Sequence, residues 1–145
     1  ERDLSSPSME TFFSILEVLG VTPEQFFSQQ PLEQKIVYNE EESTLYYDEE
    51  HGYELKWLIP ASNEKEMEPV IITFDKNGEY KTFEPSLSET FIYVIDGSIR
   101  LTLGEATYIA KKGQTMYYQA TEPHQISNNG RGKSRALIVA TESYL

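Results

Sequence analysis

The sequence predicts a mainly β chain, a sandwich or barrel of short strands behind a brief helical segment. Three observations predict it. From about Gln34 onward, short runs rich in β-branched and aromatic residues recur, punctuated by Gly, Asn, Asp and Pro. Residues 1–30 instead carry apolar side chains at helical spacing. The chain is acidic, at 12 − 24 = −12, yet 12% aromatic with ten tyrosines, a content that separates it from disordered acidic chains.

The elements follow in order. Ser6 is placed to cap a helix and Pro7 suits its first position. Met9, Phe12, Phe13, Leu16 and Leu19 make one apolar stripe, and Gly20 follows as a helix-ending glycine. Thr22-Pro23-Glu24-Gln25 restarts a helix with a Thr cap, a Pro and a Gln, and Phe26 and Phe27 come next. So short a helical piece buries too little to be stable alone, and its stripe needs a partner. Strands are expected over Thr44–Tyr47, Tyr53–Ile59, Val70–Phe74, Thr90–Ile95, Ile99–Leu103, Thr107–Ala110, Thr115–Tyr118, His124–Ser127 and Ala136–Ala140. Turn signals separate them, and Asp96-Gly97 between two alternating runs predicts a hairpin. Alternation from Thr90 turns Ile92 and Val94 inward and Phe91, Tyr93 and Ile95 outward. Glu40–Glu42 and Asp48–Glu50 read as solvated loop ends.

Composition bounds the function. A chain of 145 residues is long enough for one good core, or for one domain plus a fragment. Its apolar runs, such as Phe91–Ile95, are far too short to span a membrane. No signal peptide is visible, although Glu1 is not a natural start. Without cysteine there is no disulfide and no thiol chemistry, which fits a cytoplasmic protein. The acidic balance gives these residues no electrostatic footprint for a phosphate backbone. No nucleophile constellation and no glycine-rich phosphate loop is present, and Asn77-Gly78 and Asn129-Gly130 read as turns.

Two motifs carry a resemblance. Gly113 to Asn128 (GQTMYYQATEPHQISN) sets a glycine, a β-rich run, a Pro-containing turn, His124 and then Asn128 four residues later. Upstream, Ser86 to Gly97 (SLSETFIYVIDG) precedes a second alternating run. Together they resemble the two motifs of the cupin β-barrels, so residues 34–145 are expected to be a single cupin, a double-stranded jelly-roll. The resemblance implies four metal-ligand positions. Glu84, Ser86 and Thr90 stand where two His and a Glu are usual, and only His124 is retained. Gln119 and Thr121 replace the usual Pro and Gly of the second motif.

The stretch PSMETFFSILEVLGVTPEQFF, from Pro7 to Phe27, resembles the last two helices of a phage-repressor helix-turn-helix domain. Helix-turn-helix followed by one cupin is an architecture of bacterial transcription regulators. The resemblance implies residues 1–30 as the end of such a domain, the groove-reading helices lying before Glu1. It implies operator DNA as a partner through those helices, a small-molecule effector in the cupin, and a homodimer.

The residues expected to touch a ligand are His124, Glu84, Ser86, Thr90, Trp57 and Tyr118. His124 brings a donor whose charge switches near neutral pH, and Glu84, Ser86 and Thr90 share a strand face if the motif continues. Trp57 and Tyr118 supply aromatic walls; only one of Tyr117 and Tyr118 can point inward. No metal or other cofactor is expected, and a divalent ion, if any, would fall to His124 and Glu84. A metal-dependent cupin enzyme, an oxygenase or isomerase, and a dimerisation module with an empty barrel are the alternatives.

Overall fold

The computed structural model describes Ser14, Gly20, residues 34–142 and Leu145. The chain clusters into two compact units, Glu1–Val37 and Tyr38–Leu145. The helices expected between Ser6 and Phe27 lie outside the described residues, except that Ser14 is helical and Gly20 sits in a turn with φ 75°.

In the second unit the described residues form nine strands. These are β1 (Thr44–Asp48), β2 (Tyr53–Trp57), β3 (Met67–Phe74), β4 (Glu89–Asp96), β5 (Ser98–Leu103), β6 (Ala106–Lys111), β7 (Thr115–Gln119), β8 (His124–Asn128) and β9 (Ser134–Thr141). Each coincides with a run the sequence marks. They make a six-stranded sheet, β1-β2-β3-β9-β4-β7, and a three-stranded sheet, β6-β5-β8, with antiparallel neighbours throughout. Glu79 and Phe83 bridge to Ser127 and His124, so the chain between β3 and β4 runs along the outer edge of β8. This is the jelly-roll that the motifs imply.

The core lies where the two sheets face each other. Alternation puts Val70, Ile72 and Phe74 of β3, Ile92 and Val94 of β4, and Ala136 and Ile138 of β9 inside. The small sheet answers with Ile99, Leu101 and Ile126. Burying each large aliphatic side chain contributes roughly 1.5–3 kcal/mol. Thr90 is also fully buried, while Phe91 and Ile95 are half-buried and Tyr93 is 40% exposed, as the alternation requires.

The hairpin expected at Asp96-Gly97 does not form. β4 pairs with β7 and β9, and β5 with β6 and β8, so the turn carries the chain from one sheet to the other. The ladder to β9 shifts register between Val94 and Asp96, which bends the strand out of its sheet. Gly97 follows at φ 76°, and a Cβ there would lie 2.1 Å from Ser134 Oγ. The glycine serves a close crossing of chains rather than a hairpin tip. The tight hairpin is one step later, at Gly104-Glu105 between β5 and β6, with Gly104 at φ 61°.

Candidate ligand-binding site

β6 and β7 stand at the ends of their sheets, and between them the barrel is open. A cavity of about 420 Å³ lies there. Cross-strand register tells which side chains face it. Tyr108 is opposite Leu101, Ala106 opposite Leu103, and Ala110 opposite the buried Ile99, so these β6 residues share the core face. Tyr118 is opposite Thr90 and Met116 opposite Ile92, so these β7 residues do as well. Tyr108 faces inward and is still 51% exposed, because no strand closes the gap beside it among the described residues. Register also settles the tyrosine pair: Tyr118 is 9% exposed and Tyr117 65%. Tyr117 points outward and donates its hydroxyl to Glu89, and that hydrogen bond raises its pKa above the ordinary 10.0.

His124 opens β8 at 1% exposure. Its Nδ1–H donates to the Glu122 carbonyl at 2.9 Å, which orients the ring. Phe83 stacks on it with centroids 5.3 Å apart, and Tyr118 meets it edge-on at 5.8 Å. The aromatic contacts continue from Phe83 to Tyr80 at 5.2 Å and from Tyr80 to Tyr53 at 5.0 Å. A line of rings therefore crosses the barrel interior and reaches the open side at Tyr118.

Of the expected residues, Thr90, Tyr118 and His124 come together: Thr90 pairs with Tyr118, and Tyr118 touches His124. Glu84 is exposed, and Ser86, half-buried, uses its hydroxyl to accept the Ser88 N–H at 3.0 Å. The shared strand face drawn from Glu84 through Ser86 to Thr90 does not exist, since β4 begins only at Glu89 and the chain before it is irregular. Phe83 reaches His124 instead, and no period-2 pattern in the sequence marks it. Trp57, half-buried on β2, lines a different cavity of about 450 Å³, together with Glu68, Ser62 and Lys81. Glu68 is 4% exposed and accepts the Ser62 hydroxyl at 2.9 Å. Sequence reading missed Tyr108, Met116, Leu101 and Leu103, although alternation along β5 was there to place the leucines.

The other histidine, His51, lies in the β1–β2 turn and is exposed. Its ring is 2.9 Å from Asp48. That hydrogen bond raises His51 above 6.5, while the His51 backbone N–H, followed by its ring, lowers Asp48 below 3.8. Among the described residues no three His, Cys, Asp or Glu side chains are grouped to hold a metal ion. His124 meets the rings of Phe83 and Tyr118, and its Nδ1–H is taken by the Glu122 carbonyl.

The nine strands form the cupin jelly-roll fold, and the Cupin_2 model, a cupin domain, matches residues 71–140. It is 24% identical over 143 residues to the HTH-type transcriptional regulator PuuR of Escherichia coli strain K12, covering 97% of this chain and 76% of PuuR. Among solved structures, an HTH_3 family transcriptional regulator from Vibrio cholerae superposes with a TM-score of 0.58 at 16% identity, covering 90% of this chain and 70% of that one. The FeII form of HppE superposes with a TM-score of 0.62 at 16% identity, covering 73% of this chain and 60% of that one. At such identities the structures show a shared fold alone. No helix among the described residues is long and apolar enough to cross a membrane.

Proposed function

We propose that the chain is the effector-sensing part of a DNA-binding transcription regulator, with a small molecule held in the open barrel. The observation that carries this reading is the extent of the likeness to PuuR. It covers 97% of the chain and so runs well upstream of the cupin domain at 71–140. The expected site supports the same reading, because a cavity in the mouth of a barrel, apolar with a few polar groups, suits a small ligand.

In this reading the ligand rests against Tyr118, and Tyr118 passes its position to His124 and Phe83 inside the barrel. The ligand prefers one arrangement of a homodimer and so sets the spacing of two DNA-binding heads. It shifts the arrangement only by its difference in affinity for the two states. Operator DNA is the regulator's partner in this reading, and a chain of net charge −12 has no broad electrostatic footprint for a phosphate backbone. No metal or other cofactor takes part, and the protein works in the cytoplasm. The metal-dependent enzyme reading has less support, since no three His, Cys, Asp or Glu side chains are grouped to hold a metal ion among the described residues.

The test is to capture genomic DNA with the product of the complete gene. Recurrent two-fold symmetric sites, released by a metabolite, support the reading. A product that enriches no sequence under any metabolite condition contradicts it.

A further inference from the structure

The barrel opening between β6 and β7 is built without charge. Its floor is aliphatic, from Leu101 and Leu103, and Met116 adds a flexible thioether. Tyr108 and Tyr118 also line it, and apart from the tyrosines Gln114 and Thr115 are its lining residues with polar side chains. Among its lining residues there is no Asp, Glu, Lys, Arg or His. Gln114 Oε1 already accepts the Lys111 N–H at 2.8 Å, so its amide group is fixed and keeps its NH₂ for donation.

An ion entering this space would lose hydration and meet no counter-charge. The protein's net charge of −12 opposes an anion further. Charged side chains lie instead at a different cavity, where Glu68 and Lys81 both line the wall. A flat apolar ring, in contrast, gains dispersion from the leucines and edge or offset contacts from the tyrosines.

We propose that this opening takes an uncharged, largely aromatic small molecule bearing one or two hydrogen-bonding groups, set against Tyr108 and Tyr118 and anchored by Gln114. The proposal rests on the effector-site reading above and names the ligand class of that same site.

Three probes of one ring and nearly one size separate the possibilities: benzyl alcohol, benzoate and benzylammonium, each titrated at neutral pH into isotope-labelled full chain and followed by NMR. Benzyl alcohol is expected to move the resonances of Gln114, Thr115 and the Met116 methyl, and to bind at least about tenfold tighter than either ion. Tyr108→Ala, at an exposed edge, is expected to weaken it about fivefold with the melting temperature unchanged. Tighter binding of benzylammonium or benzoate at those resonances overturns the ligand class while leaving an occupied opening. If none of the three moves those resonances, the class and the effector-site reading fall together.

Discussion

Asn128 makes four hydrogen bonds from one buried side chain. Its Nδ2 donates to the carbonyls of Asp75 and Gly132, both at 2.8 Å, and its Oδ1 accepts from Gly130 N–H and Ser134 Oγ–H, both at 2.7 Å. It ties the end of β8 to the end of β3 and to the loop leading into β9. The sequence marked this residue as part of a motif, and its role is to fasten chains. Asn128→Asp would set a carboxylate oxygen against two carbonyls, and the expected cost is roughly 2–4 kcal/mol, read from urea unfolding at neutral pH. A variant as stable as the parent would show that the network is dispensable. The His51–Asp48 turn gives a second residue-scale expectation. His51 is raised, so its contribution is complete below 6.5 and is lost as pH rises through the folded value. Asp48 is lowered, so its contribution holds above 3.8 and is lost as pH falls through its folded value. The pair therefore helps most between those limits. By NMR, His51 should titrate above the ordinary histidine range, and Asp48→Asn should bring it back.

At the scale of elements, the crossing from β4 to β5 is the joint that makes two sheets out of one chain. Gly97 and Gly113 both have positive φ, at 76° and 86°, but only Gly97 has neighbours where a Cβ would go. Gly113→Ala should cost about 1 kcal/mol from backbone strain alone, and Gly97→Ala about 3 kcal/mol once the clash with Ser134 is added. Equal losses in denaturant midpoints would mean that the crossing relaxes freely. All nine strands were legible because β-branched and aromatic runs alternate between turn residues. Their pairing was less so. Asp96-Gly97 looks like a hairpin because the local chemistry of a tight turn is the same whether the strands pair or part. What parts them is the register shift before the turn and the close approach of Ser134, a residue 37 positions further on. The site was half legible for a similar reason. His124, Thr90 and Tyr118 lie on true strands and alternate reliably. Glu84 and Ser86 lie on an irregular stretch where motif spacing has no fixed relation to direction.

Across the whole molecule, the fold gathers its polar and charged groups unevenly. The interior around His124 is a stack of rings, one cavity is lined by Glu68 and Lys81, and the opening between β6 and β7 is uncharged. On the proposed reading a small molecule occupies the open side, and there it stabilises the folded state by RT ln(1 + L/Kd), where L is its free concentration. The most direct measurement is the melting temperature of the protein against a metabolite library, run in parallel with Met116→Trp, which fills the opening. The account expects at least one metabolite to raise the melting temperature of the parent by several degrees, on the order of 5–10 °C well above its Kd, and to leave the filled variant unmoved. No stabilising metabolite, or an equal rise in both proteins, would contradict the claim that this opening is the sensor site.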